Sequence, residues 1–192
     1  MRLNTTLSVI TITLCFIGFS QKCKYSREEN IDDISILETK STIVAGLTGS
    51  NIKFKLGKRD NSYYLVLDYI RSVSKKSSLS SITMNFPQVE SIDKGHKLTL
   101  ILDTGEEVVL ESKERKNIEK SDANPLFYEY KLSNLEYSIL DSDMEKLTSN
   151  FIVKLKLEYF KSDQKSIFTH RSDLTKGKTK GLSKLLNCIS IG

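Results

Sequence analysis

The residues best suited to acid–base chemistry stand together near the carboxyl end of the chain. Thr169-His170-Arg171-Ser172-Asp173 contains a serine, a histidine and a carboxylate, the residue types of a serine-hydrolase triad. Neighbours this close in sequence cannot be assumed to form one, because the members of a triad are defined by their geometry. The other histidine, His96, lies in the polar segment 93–97, where we expect a surface position. Neither histidine is predicted to be catalytic.

Patterns for metals and cofactors are equally sparse. The chain has 2 His and 3 Cys, and their positions lack the spacing of a zinc site. Asp141, Asp143 and Glu145 crowd together, but the glycine and the regular oxygen ligands of a calcium loop are missing. Glycine-rich phosphate loops and nucleophile elbows are also missing from the sequence. We therefore predict no metal, no cofactor and no enzymatic activity.

Tyrosines are the remaining candidates for a ligand platform, since the chain has no Trp. Tyr63, Tyr64 and Tyr69 fall on one predicted hairpin, and Tyr128 and Tyr130 share a face of a later strand. Tyrosine is common in strands for packing reasons alone. We predict core or edge packing rather than a surface on which glycan rings stack.

The start of the chain has the layout of a secretory signal peptide. An uncharged apolar run over residues 7–17 is followed by Gly18 and Ser20, the small residues that a signal peptidase prefers. The run is shorter than the ~20 residues that span a bilayer. We expect residues 1–20 to be removed and residues 21–192 to form one exported domain, whether periplasmic, cell-surface or secreted. An uncleaved anchor and a lipid on a cysteine are the alternatives.

Export would place the cysteines of the domain in an oxidising compartment. Cys23 and Cys188 remain after removal of the signal, and they stand at opposite ends of the domain. Two cysteines allow one intramolecular pairing, which an oxidising compartment would preserve. We predict a Cys23–Cys188 disulfide. The alternative is two unpaired thiols, with one packed as an apolar residue in the last helix.

The charge is unevenly distributed. The net charge is +5, and loss of Arg2 with the signal leaves +4. From residue 161 onward two acidic residues are outnumbered by seven basic ones: Lys161, Lys165, Arg171, Lys176, Lys178, Lys180 and Lys184. Such a segment can attract anionic lipid, acidic glycan or nucleic acid, although most basic runs are a solvated face. An exported chain makes nucleic acid the least expected of these, so the candidate partner is an anionic envelope component.

Alternation of apolar residues predicts a mainly β (α+β) fold whose antiparallel sheet is built from hairpins. The first hairpin joins residues 52–56 to 63–70 through a turn at 57–61. The second joins residues 98–102 to 107–110 through Asp103-Thr104-Gly105. A strand over residues 82–86 must end at Pro87, which has no amide proton for a ladder.

The carboxyl half combines strands with two helices. A polar loop from about Ser112 to Asn124 precedes a strand at 127–132, and the capping box Ser142-Asp143-Met144-Glu145 begins a short helix near 142–149. The longest alternation follows, with five residues predicted to face inward: Phe151, Val153, Leu155, Leu157 and Tyr159. Lys154, Lys156 and Glu158 would face water. Four residues at helical spacing then predict a C-terminal amphipathic helix on the sheet: Leu182, Leu185, Leu186 and Ile189.

The opening of the predicted mature chain resembles a known group of sequences. Cys23-Lys24-Tyr25 and the later stretch Glu29-Asn30-Ile31-Asp32-Asp33-Ile34 are similar to small uncharacterised exported bacterial proteins that open with a cysteine, an aromatic residue and Asn-Glu-x-Asp-x-Phe. Here the first two residues of that stretch are exchanged, and Ile34 replaces the aromatic residue. The resemblance implies an envelope or secreted location and a β-rich fold, and it implies no activity.

These patterns lead to one functional expectation and one alternative. We expect an exported, non-catalytic binding or structural module of the cell envelope. The alternative is a hydrolase that acts on an envelope or extracellular polymer, which would require His170, Asp173 and a serine to meet in a pocket.

Overall fold

A computed structural model describes residues 23–47, 50–75, 89–122, 125–161 and 164–191. The predicted signal peptide and the strand predicted at 82–86 lie outside these ranges. The strands and helices are β1 (Tyr25–Ile31), β2 (Ile34–Thr39), β3 (Thr42–Leu47), β4 (Ser50–Arg59), β5 (Ser62–Ser74), β6 (Val89–Ile92), β7 (Lys97–Leu102), β8 (Glu107–Glu111), β9 (Lys116–Asn117), β10 (Glu119–Ser121), β11 (Phe127–Ile139), α1 (Asp141–Ser149), β12 (Ile152–Lys161), β13 (Gln164–Asp173) and α2 (Lys176–Ile191).

The strands form two antiparallel sheets, which confirms the mainly β (α+β) prediction. One sheet has the order β1-β2-β4-β5-β11-β10, with β3 also paired to β4. The other has the order β8-β7-β12-β6-β9, with β13 also paired to β12. Buried side chains from both sheets belong to one core cluster, which includes Phe54 and Leu67 from the first sheet and Leu100 and Leu155 from the second.

The first predicted hairpin is present, but its turn is shorter than predicted. β4 and β5 pair as far as Arg59 and Ser62, so only Asp60 and Asn61 form the turn. Asp60 supplies the left-handed backbone with a φ of 51°. Gly57 lies within β4, opposite Tyr64, and a Cβ atom there would overlap the ring of that tyrosine. The glycine therefore makes room for an aromatic ring and does not turn the chain.

The second predicted hairpin matches the structure. β7 and β8 pair from Lys97 and Glu111 to Ile101 and Glu107, and Gly105 in the turn has a φ of 87°. The polar loop predicted at 112–124 is partly wrong, because it contains the short strands β9 and β10. β9 pairs with β6 and β10 pairs with β11, so the backbone of this segment is hydrogen-bonded although its side chains are polar.

The longest predicted strand, β12, is confirmed in its middle and wrong at its start. Leu155, Leu157 and Tyr159 are buried, while Phe151 is 48% exposed and Ile152 is 3% exposed. The register against β7 shifts between Ile152 and Lys154. This bulge adds a residue and exchanges the faces of the sheet, so the alternation does not extend to Phe151. Val153, the added residue, is half-buried.

Helix α1 covers the predicted range, but the capping box is not formed. The residue at the N-cap is Leu140, which makes no side-chain capping hydrogen bond. Because β11 leads straight into the helix, the Leu140 carbonyl accepts the amide protons of Asp143 and Met144 at 3.0 and 2.8 Å. Asp141 and Asp143 in the first turn still favour this end of the helix, since its peptide dipoles make it partly positive.

Helix α2 closes the core, as predicted. Leu182, Leu186 and Ile189 are at most 1% exposed. Cys188 lies on the same helix with its Cα atom 5.6 Å from that of Cys23, and the two sulfur atoms are at disulfide distance. The hydroxyl of Tyr25 donates to the Cys188 carbonyl at 3.1 Å. The start of the described chain is therefore held against the last helix.

Candidate functional site

His96 is buried, so the predicted surface position is wrong. Its side chain is 5% exposed, and its ring centroid lies 4.8 Å from that of Phe160. Its Nδ1 atom accepts the backbone N–H of Asp93 at 3.1 Å. The hydroxyl of Ser112 donates to the Asp93 carbonyl and fastens the same turn to the end of β8. The histidine therefore closes a turn and packs on an aromatic ring.

The segment that contains the triad residue types lies on β13, with the backbone of His170 opposite Leu157. The carboxylate of Asp173 forms an ion pair with Lys154 at 3.3 Å. The hydroxyl of Ser172 lies 3.5 Å from the carbonyl oxygen of Asp173, to which it donates. A cleft of about 290 Å³ includes Ser172 and Asp173 in its lining, but three cations also line it: Lys154, Lys156 and Arg171. In the structure, the carboxylate of Asp173 is therefore paired with a lysine side chain.

The acidic residues considered as calcium ligands all lie on α1. Within the described ranges, no group of three or more His, Cys, Asp or Glu side chains is placed to hold a metal ion. Asp141 and Glu145 instead line an open cleft of about 390 Å³, together with Lys58 and Tyr63 from the end of the first hairpin. A second cleft of about 330 Å³ shares Lys58 and lies against the hairpin of β1 and β2.

The tyrosines of the first hairpin are mostly packed. Tyr64 is 2% and Tyr69 is 7% exposed. The Tyr64 hydroxyl donates to Glu38 at 3.0 Å, and Glu38 also accepts a hydrogen bond from Lys55 at 3.2 Å. Burial, and then the hydrogen bond to Glu38, raise the pKa of Tyr64 above its usual value. This ring is part of a polar network on the sheet and offers no open face to a ligand.

The clearest surface feature is a row of lysines on α2. Lys176, Lys180 and Lys184 are exposed and stand at intervals of four residues. Each interval advances about 6 Å along a helix and turns about 40° around it, so the three side chains share one side. The sequence of α2 contains no acidic residue. We call these three residues the lysine row.

The lysine row has no anionic partner in the part of the chain that the structure describes. The ion pairs found there involve basic residues of other elements, such as Lys55 with Glu38 and Lys156 with Glu107. Ten basic side chains elsewhere in the described ranges are neutralised in this way, and none on α2 is. The basic segment predicted from the sequence is therefore a solvent-facing helix surface from Lys176 onward.

The lysine row opposes the formation of the helix that carries it. Lys176 and Lys178 lie in the first turn, where the helix dipole is positive and no acidic residue is present. Each like-charged pair at a spacing of four residues costs about 0.2–0.5 kcal/mol. Gly177 and Gly181 lower the helix propensity further, by roughly 1 kcal/mol each. The helix is therefore stabilised by its buried face, and folding does not account for the charges on its exposed face.

No protein-family model, no curated protein and no solved structure matches this chain. The function can therefore be inferred only from the residues of the chain itself.

Proposed function

We propose that the protein is an exported, non-catalytic binding module of the cell envelope, and that α2 contacts an anionic envelope component. The observation that carries this proposal is the lysine row, which is exposed and has no anionic partner among the described residues. Unpaired like charges on one surface raise the local concentration of polyanions and speed their association. An anionic partner would also relieve the repulsion between the lysines.

Export is supported by two independent features. The first 20 residues have the signal-peptide layout, with Gly18 and Ser20 before the expected cut. Cys23 and Cys188 lie at disulfide distance, and such pairs persist in oxidising compartments outside the cytosol. Within the described ranges, no helix is long and apolar enough to cross a membrane.

A binding role is favoured over hydrolysis by the contacts of the candidate catalytic groups. Asp173 is bound to Lys154, and His96 is packed against Phe160 with its Nδ1 atom bonded to the backbone. A hydrolase would need a carboxylate free to orient a histidine beside a nucleophile. The Asp173–Lys154 ion pair speaks against that arrangement.

Co-sedimentation of the mature protein with isolated cell envelopes tests this proposal. The test variant is Lys176→Gln/Lys180→Gln/Lys184→Gln. Its matched control, Lys94→Gln/Lys97→Gln/Lys131→Gln, removes the same charge from three other exposed lysines. We expect the wild type and the control to sediment with envelopes and the α2 variant to remain in solution. Equal sedimentation of all three proteins would overturn the role of α2.

A further inference from the structure

Two exposed lysines outside the helix belong to segments that pack against α2. Lys24 and Lys40 are both exposed, and the backbone N–H of Lys40 donates to the Lys24 carbonyl at 3.2 Å. The segment that carries Lys24 is tied to α2, because Cys23 pairs with Cys188 and the Tyr25 hydroxyl donates to the Cys188 carbonyl. Neither lysine takes part in an ion pair within the described ranges.

The contacts of α2 place the segments that carry these two lysines along one edge of the helix. A Cβ atom on Gly181 would lie 3.7 Å from the Thr42 side chain, so the start of β3, two residues after Lys40, lies against this edge of α2. Lys180 precedes Gly181, and Lys184 stands one helical turn before Cys188. Gly181 and Cys188, through which this edge of α2 meets the rest of the domain, therefore lie next to lysines of the row. We call Lys24 and Lys40, together with the lysine row, the five-lysine surface.

The shape of this surface distinguishes between anionic partners. The lysine row spans nine residues, or about 12 Å along the helix axis. Charges in a line complement a linear polymer that carries an anion on each repeat. Binding to a bilayer is strongest when apolar side chains of a helix enter the interface. Of the apolar side chains of α2, Leu182, Leu186 and Ile189 are instead buried in the core, and Leu185 is half-buried against it.

We propose that the five-lysine surface binds a stretch of a linear polyanion, with the polymer lying along α2. This inference rests on the proposed function and names the chemical class of its partner. Phosphate or carboxylate groups on successive repeats would contact Lys176, Lys180 and Lys184 in turn. Lys24 and Lys40 would contact the same stretch from the side.

The test measures binding of three probes to the wild type by titration: inorganic polyphosphate, polygalacturonate, and vesicles that contain phosphatidylglycerol. We expect at least one polymer to bind, and the choice between them identifies phosphate or carboxylate as the preferred anion. Lys176→Gln/Lys180→Gln/Lys184→Gln should weaken polymer binding by about tenfold or more. Each lost lysine contact leaves one more anion with its counterion, so binding releases fewer counterions. Lys24→Gln/Lys40→Gln should weaken it several-fold, and the control Lys94→Gln/Lys97→Gln/Lys131→Gln should stay within about twofold.

The contrary outcomes separate this inference from the proposed function. If vesicles bind through α2 and neither polymer does, the proposal of a linear polyanion is wrong, whereas the proposal that α2 contacts an anionic partner is supported. If no probe binds, or if the control variant loses as much affinity as the α2 variant, the five-lysine surface is not a binding site. Thermal melts of each variant show whether its fold is intact. The control should keep nearly the wild-type melting temperature, and the α2 variant should not melt lower, because its substitutions remove like-charged pairs from the helix.

Discussion

Breaking the Cys23–Cys188 pair should remove a large part of the stability of the domain. The two residues are 165 positions apart, so the bond restricts almost the whole unfolded chain. The chain-entropy model gives about 5 kcal/mol for a loop of this length. A domain of this size usually has a total of about 5–15 kcal/mol. The native contacts around the pair, including the Tyr25 hydrogen bond to Cys188, do not require the bond. The reduced protein should therefore fold, but with a much smaller free energy of unfolding.

Urea melts of the mature protein measure this effect. Three samples are compared: the oxidised wild type, the reduced wild type, and Cys23→Ala/Cys188→Ala. The reduced protein and the double variant should unfold at a lower urea concentration and with a steeper slope, because an unrestricted unfolded chain exposes more surface. Reductant should have no effect on the double variant. The reasoning is refuted if reduction changes the free energy of unfolding by less than about 1 kcal/mol.

Three further predictions concern the core, the glycines and the amino terminus. Leu155→Ala, at a site with 0% exposure, should cost about 2–5 kcal/mol in urea melts, and Lys154→Ala about 0.5 kcal/mol or less; equal losses would mean that both faces of β12 are covered. Gly57→Ala should destabilise the domain by about 1–3 kcal/mol, because the added Cβ atom overlaps an aromatic ring. Gly177→Ala, in open space on a helix, should stabilise the domain by about 0.5–1 kcal/mol. Shifts of the two melting temperatures in the same direction would contradict this prediction. Mass spectrometry of the exported protein should find Gln21 as the first residue, and recovery of Met1 or of a lipid on a cysteine would exclude cleavage after Ser20.

Short-range patterns in the sequence predicted the elements whose conformation depends on residues close to each other in the chain. The second hairpin follows from its alternation and from Gly105, and α2 follows from the spacing of its buried leucines. The start of β12 could not be predicted, because the bulge at Val153 depends on its register against β7. His96 was also missed. Its burial depends on Phe160, a residue on another strand, and no short-range pattern around a histidine in a polar segment indicates such a partner.

The candidate site was only partly visible in the sequence. The excess of lysines near the carboxyl end predicts a basic segment, and the helical spacing of residues 182–189 predicts an amphipathic helix. The segments that carry Lys24 and Lys40 meet α2 only through packing, because they lie far from it along the chain. The absence of ion partners for the row also depends on tertiary structure, since the sequence contains 24 acidic residues that could have reached it.

The salt dependence of binding shows whether the lysines of α2 neutralise a polyanion. The affinity of the wild type, the α2 variant and the matched control for the polymer that binds is measured over a range of salt concentrations. Each neutralised anion contributes about 0.7 to the slope of log affinity against log salt for a single-stranded polyanion. Loss of three lysine contacts should therefore reduce the slope of the α2 variant by about 2, while the control keeps the slope of the wild type. An α2 variant with the wild-type slope would contradict the account.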